Sequence, residues 1–184
     1  MSKRNGQFRM IFNLKELNNY IPYHHFKMEG LHNAVTMMLE NCYMAGIDLA
    51  DAYYCVPVQF CGQFYKYTVF PNGLVCCLRT FTKLLKPVFS TLCKQSNESV
   101  CYIDDAYLNG PSYEQCQANI RNTVHLFEDL GFIIHTEKSV LTPVQICFLG
   151  FILNFKNMTV RLTREKVINI QTQFSKLIRQ KLML

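Results

Sequence analysis

Val100-Cys101-Tyr102-Ile103-Asp104-Asp105-Ala106-Tyr107-Leu108 sets two apolar, aromatic-bearing runs on either side of a pair of neighbouring carboxylates. Such flanks predict two strands, and the Asp pair falls where the turn of a β-hairpin is expected. Two like charges at a tight turn repel unless positive charge lies against them. A bound divalent cation supplies it, since hard ions such as Mg²⁺ prefer carboxylate oxygens. Taken alone, the dipeptide also reads as a solvated turn, because turns favour Asp on general grounds.

One other stretch puts a carboxylate at the end of an apolar run: Gly46-Ile47-Asp48-Leu49-Ala50-Asp51-Ala52-Tyr53-Tyr54. A strand ending on Asp48 beside a hairpin tip carrying Asp104 and Asp105 predicts a three-carboxylate cluster. Such a cluster can hold two cations roughly 4 Å apart, the geometry that activates an attacking hydroxyl and stabilises a leaving phosphate oxygen. Asp51, exposed to the same argument, reads as structural.

The chain has 184 residues, enough for one domain with a real core, and its 49% apolar and 17% charged residues exclude a disordered chain. No apolar run approaches the roughly 20 residues of a membrane span, and Met1-Ser2-Lys3-Arg4-Asn5-Gly6 leads into no signal-peptide core. The expectation is an intracellular protein, cytoplasmic or nuclear, with no membrane partner. Nine cysteines are an odd count without a secretory signal, and no Cys-x-x-Cys occurs. A disulfide framework and a structural zinc site are therefore not expected, and most of the thiols should be buried as small hydrophobes.

The net charge of +6 is unevenly spread. Residues 1–18 carry four Lys/Arg against one acid, and 156–184 carry seven against one, while the middle holds eight against eleven. Basic flanks around an acidic centre suit a polyanion gripped at its edges and bridged to the centre by metal ions. They read equally as two solvated faces.

In chain order, Lys3-Arg4-Asn5-Gly6 reads as a basic hairpin turn and Phe8 to Phe12 as a strand projecting Arg9 away from Met10 and Phe12. Helical spacing runs from Leu31 to Cys42 and again from Leu78 to Leu92, where Pro87 is expected to kink or end the helix. Ser112-Tyr113-Glu114-Gln115 opens a helix with a capping box and Leu130-Gly131 closes it. Phe132 to Ile134 and Ile146 to Leu153 read as two closing strands, and a basic helix begins near Thr163. Helices returning across an antiparallel sheet indicate an α+β fold of the ferredoxin-like kind.

Several segments, in this order, resemble the reverse transcriptases, and among them most closely the retrotransposon kind including DIRS-type elements. Lys3 to Arg9 with Asn13 to Asn18 is similar to the fingers segment, and His25-Phe26-Lys27-Met28-Glu29-Gly30-Leu31 follows as in those elements. Asp48 through Pro57 resembles the first catalytic motif. Pro71-Asn72-Gly73-Leu74 with Arg79 to Val88 resembles the template-and-nucleotide motif, and Tyr102-Ile103-Asp104-Asp105 the second catalytic motif. Leu130-Gly131-Phe132 with Glu137-Lys138-Ser139, and Phe148-Leu149-Gly150-Phe151, resemble the close of the palm.

The resemblance implies a right-hand polymerase palm with partial fingers: residues 1–45 as fingers and first palm helix, 46–162 as palm, and 163–184 as a basic helix leading toward a thumb. The thumb and an RNase H domain are expected only in a longer native protein. Asp48, Asp104 and Asp105 would ligate two Mg²⁺, or Mn²⁺ in their stead. Lys3 or Arg4, with Arg9, would hold the triphosphate of a dNTP. Tyr53 would exclude a 2′-hydroxyl, although it also reads as a core aromatic. Gly73 would admit the nucleotide and template, and Phe148, Leu149 and Gly150 would brace the primer end. Lys138 would act as general acid toward pyrophosphate, and reads as well as a surface lysine. The implied activity is RNA-directed DNA polymerisation on an RNA or DNA template with a primer.

The chain also departs from the family pattern. Val75-Cys76-Cys77-Leu78 stands where small residues and a helix-starting Pro are usual, Asn72 replaces an aromatic or Gln, and the stretch from Pro57 to Gly73 is short. These departures support an alternative, a catalytically impaired retroelement remnant that at most binds nucleic acid.

Overall fold

The structure, a computed structural model, describes residues 13–55, 58–60, 63–65, 73–95, 97–142 and 146–181. The expected basic turn at Lys3 to Gly6 and the strand at Phe8 to Phe12 lie outside the described residues. The elements are α1 (Lys15–Asn18), α2 (Leu31–Met37), β1 (Tyr43–Ala50), a 3₁₀ turn (Ala52–Cys55), β2 (Val58–Phe60), β3 (Gln63–Tyr65) and α3 (Cys77–Lys94). They continue with β4 (Ser99–Tyr102), β5 (Asp105–Gly110), α4 (Tyr113–Asp129), β6 (Ile133–Ile134), β7 (Ile146–Phe148), β8 (Phe151–Asn154), β9 (Thr159–Leu162) and α5 (Arg164–Lys181).

The central sheet has the order β4-β5-β1-β6, with every neighbouring pair antiparallel. Its chain path, β1-α3-β4-β5-α4-β6, is the βαββαβ arrangement of the ferredoxin-like folds, as the order of periodic segments implies. Because successive strand residues point to opposite faces, β1 divides its side chains cleanly. Ala45, Ile47 and Leu49 join Phe81, Leu85 and Leu92 of α3 and Ile120 and Phe127 of α4 in one core. Met44, with Tyr107 of β5 and Val100 of β4, faces the other way. There it is covered by Ala34 and Met38, at and just beyond α2, and by Ile146, Phe148 and Leu153 of β7 and β8.

Pro87 neither ends nor interrupts α3, which runs on to Lys94. Proline deletes one hydrogen bond and crowds the preceding turn. Here Phe81 and Leu85 before it, and Val88, Phe89 and Leu92 after it, are all buried on one face, so packing holds the helix through the defect while Pro87 itself stays exposed. The helix expected over Leu31 to Cys42 stops at Met37, where Met38 turns to extended backbone with ψ of 121°. Apolar spacing continued past that point because Met38 and Cys42 are buried without being helical.

The ends of α4 follow the sequence. Ser112 Oγ accepts the N–H of Gln115 at 3.2 Å, and at the other end the N–H groups of Gly131 and Phe132 donate to Glu128 and Phe127 carbonyls, each at 2.9 Å. That pair of bonds is a Schellman closure, with Gly131 at φ +81°. The run Ile146 to Leu153, read as one strand, is instead the hairpin of β7 and β8, extended by β9 into a second, three-stranded sheet. β2 and β3 pair as a separate short hairpin.

Candidate active site

β1 and β5 pair so that Asp48 stands directly opposite Asp105. Both lie at even steps from Met44 and Tyr107 respectively, and so on the sheet face turned away from α3 and α4. The hairpin loop is the two residues Ile103-Asp104, enclosed by the pair Tyr102 and Asp105; Asp105 therefore begins β5 rather than sitting in the turn. Ile103 has φ of +61°, a conformation that strains a β-branched side chain by roughly 1–2 kcal/mol. It is held there by burial against the α3 side of the core, and the N–H of Leu49 donates to Asp104 O at 2.9 Å, tying the tip to β1.

A second loop closes on the same carboxylates. The Asp48 N–H donates to Ser139 Oγ at 3.0 Å, and Asp48 O accepts the His135 N–H at 2.8 Å. The His135–Ser139 turn is thereby fastened to β1, which brings Lys138 Nζ within 3.3 Å of Asp48 Oδ1. Burial, then the charges of Asp104 and Asp48, push the Asp105 carboxyl up from 3.8 to about 6, with Lys138 offsetting only part of this.

Among the described residues no three His, Cys, Asp or Glu side chains stand close enough to hold one metal ion together. The Asp48–Asp105 pair is what the sheet register assembles, and Asp104 acts on it from the adjoining turn. The donor set nevertheless fits a hard divalent cation. It consists of carboxylate oxygens, the ligands such an ion prefers.

Tyr53 sits in the 3₁₀ turn with its ring 4.9 Å from that of Phe81, so its body belongs to the core. Burial, and next the charge of Asp104, raise its hydroxyl well above the usual tyrosine range. It is a core aromatic whose hydroxyl senses the charge of Asp104. Gly73 has φ of +102° and open space, with no atom within 4 Å, where a Cβ would stand, so backbone conformation alone selects glycine there. Phe148 is buried against Tyr107, with ring centroids 5.8 Å apart, two residues along β5 from Asp105. This seats the β7–β8 hairpin on the face that carries the carboxylates and leaves Leu149 and Gly150 at its tip. Lys3, Arg4 and Arg9 lie outside the described residues.

A groove of about 690 Å³ runs between α3 and β4 and reaches Ile103. Lys27, Lys83, Lys86 and one acid, Glu29, line it together with apolar residues that include Leu85 and Phe89. Three further residues were not legible as site residues. Ser139 Oγ accepts the Asp48 N–H, Lys166 Nζ donates to Leu149 O, and Asn18 brackets the Gly73 loop through Nδ2 to Gly73 O and Oδ1 from Val75 N–H, each of these last two at 2.9 Å. Lone polar residues of this kind carry no spacing signal. No helix among the described residues is long and apolar enough to cross a membrane.

The family model for reverse transcriptase (RNA-dependent DNA polymerase) matches residues 59–153. The Gag-Pro-Pol polyprotein of Human T-cell leukemia virus 2 is 27% identical over 95% of this chain and 13% of that polyprotein. The Pro-Pol polyprotein of Simian foamy virus type 3 is 24% identical over 91% of this chain and 15% of its own length. The Transposon Tf2-3 polyprotein of Schizosaccharomyces pombe is 21% identical over 85% of the chain and 12% of its own. The chain therefore spans about an eighth of these relatives. Among solved structures, the foamy viral protease-reverse transcriptase in complex with dsDNA shares the fold at a TM-score of 0.70 and 21% identity, over 93% of this chain and 31% of that one. The same protein in complex with an RNA/DNA hybrid matches at a TM-score of 0.64 and 20% identity, over 89% of this chain and 23% of that one.

Proposed function

The chain belongs to the reverse transcriptase (RNA-dependent DNA polymerase) family, and from that premise we propose that it performs RNA-directed DNA synthesis, transferring a nucleotide from a dNTP to a primer 3′-hydroxyl on an RNA or DNA template. The observation that carries this reading is the register of Asp48 against Asp105, with Asp104 adding its charge from the turn. Complexes of the foamy viral enzyme with dsDNA and with an RNA/DNA hybrid support nucleic acid as the partner.

Asp48, Asp104 and Asp105 would hold the divalent ions. Two Mg²⁺ bound there would supply acidification of the 3′-hydroxyl and neutralisation of the departing pyrophosphate. This chain's own groups do the remainder. The Tyr53 ring, fixed on Phe81, forms a rigid wall against a ribose 2′-hydroxyl. Lys138 carries a proton toward the leaving group and pairs with Asp48 at 3.3 Å in its absence. Gly73 gives the nucleotide backbone-close approach, Lys3 or Arg4 with Arg9 grips the triphosphate, and Leu149 and Gly150, anchored through Phe148, brace the primer end. The basic groove along α3 suits a phosphate backbone.

Primer extension on poly(rA) with oligo(dT), dTTP and Mg²⁺ tests the reading. Asp104→Asn should abolish extension; incorporation that survives it removes these carboxylates from the chemistry. A second reading, a nucleic-acid-binding remnant without catalysis, is favoured by Lys138 occupying Asp48 and by the lack of a three-ligand group among the described residues. It predicts salt-sensitive primer–template binding with no incorporation. Assignment to the DIRS type would be supported by RNase H and recombinase reading frames in the genomic neighbourhood.

A further inference from the structure

We propose that Lys166 is a positioning residue for the primer terminus, its ammonium group holding the Leu149-Gly150 turn in the shape that meets the primer; this rests on the polymerase reading above. The turn joins β7 to β8 in two residues, inside the pair Phe148 and Phe151. Leu149 has φ of +50° and Gly150 of +75°. Positive φ at both central residues makes the tight turn that fits a twisted hairpin, but a leucine adopts it only under strain. The conformation therefore needs support from outside the hairpin.

α5 supplies that support at its first turn. Lys166 Nζ donates to Leu149 O at 3.1 Å, and the Thr163 N–H, just before the helix, donates to Gly150 O at 3.1 Å. Both carbonyls of the turn are thus held by one short segment. The same ammonium lies 3.8 Å from the centroid of the Phe151 ring, so the residue that closes the turn also fixes the cation. The aliphatic stem completes the contact: a Cβ at Gly150 would come within 3.1 Å of Lys166 Cδ. Glycine is favoured there twice, by its φ and by the tight space beside the lysine stem.

Lys166 acts through the turn rather than by touching the reacting atoms, so its loss should weaken primer engagement more than the chemical step. A direct contact to a primer phosphate would also weaken binding, and salt separates the two, because removing one phosphate contact lowers the slope of log affinity against log salt by about one.

The test uses the full 184-residue chain with oligo(dT) on poly(rA), dTTP and Mg²⁺, comparing wild type, Lys166→Met, Lys166→Arg, Phe151→Leu and Asp104→Asn. Lys166→Met should raise KM for primer–template about tenfold while kcat falls less than about threefold, and leave the salt slope unchanged. Lys166→Arg, which keeps a donor and a cation over the ring, should stay within about twofold of wild type. Phe151→Leu, which keeps the hydrogen bond but removes the ring, should raise KM about threefold and decides the matter if Lys166→Met does not fold. An unchanged KM in Lys166→Met or Phe151→Leu, or a slope reduced by about one, overturns the proposal. If wild type extends, Asp104→Asn does not, and Lys166→Met matches wild type, the positioning role alone is lost. If wild type fails to extend, the polymerase reading falls and this proposal with it.

Discussion

The two tight hairpins on the carboxylate face, β4–β5 and β7–β8, are built by opposite means. Each is closed by two residues and each puts an aliphatic residue at positive φ, Ile103 at +61° and Leu149 at +50°. The first is loaded electrostatically: Asp105 faces Asp48, Asp104 adds its charge, and Lys138 compensates only partly. The second is braced from outside the hairpin, by two backbone acceptors filled from Thr163 and Lys166 and a cation held on Phe151. One hairpin gathers carboxylates where it meets β1, and the other has both carbonyls of its turn hydrogen-bonded.

The largest effect that would break this contrast is on turnover. Asp48→Asn or Asp104→Asn should lower primer extension by at least about a thousandfold, equivalent to about 4 kcal/mol of transition-state stabilisation. Single-turnover incorporation checks it, and a loss below tenfold would make the loaded hairpin an ordinary acidic turn.

Next in size is Gly150→Val, which places a branched side chain at φ +75° against the stem of Lys166. It should destabilise the chain by about 2 kcal/mol or more, read from the urea midpoint.

The pH dependence comes third. Asp105 binds its proton more tightly in the fold, at about 6 against an ordinary 3.8. Between those values the folded chain carries more protons than the unfolded one, so stability from this group is present below the lower value and is lost as pH rises through about 6. In EDTA, Tm should fall across that window, and millimolar Mg²⁺ should remove the fall. A flat profile in EDTA would mean that the carboxylates are already balanced.

Smallest of all, Ile103→Gly should leave stability within about 1 kcal/mol, because relief of the positive φ offsets the lost burial. Ile47→Ala, an apolar deletion in unstrained β1, serves as the reference, since core truncations cost about 2–5 kcal/mol.

The carboxylate hairpin was legible because its signals are local and chemical: alternating apolar residues fix strands, and ionisable groups at their ends are conspicuous. The same holds for α4, whose Ser112 cap and Gly131 closure are written in adjacent residues. What escaped was set by packing at a distance. Pro87 carries a breaker's signal, yet the buried residues on both sides of it decide the outcome. The turn inside Ile146 to Leu153 is hidden because Leu149 is a poor residue for positive φ, and the bonds that hold the turn come from Thr163 and Lys166, outside the run. Lys138 stands out in its motif, but its pairing with Asp48 depends on the His135–Ser139 turn being fastened to β1 by Ser139, a contact no spacing announces.

Asn18 works as a borrowed peptide group. By donating to Gly73 and accepting from Val75, its carboxamide adds one rung of ladder between segments 55 residues apart. The amino-terminal part of the chain is thereby tied to the threshold of α3. Asn18→Asp, which forfeits the donor and keeps the acceptor, should break the bond to Gly73 O alone and so loosen the tie without touching Asp48, Asp104 or Asp105.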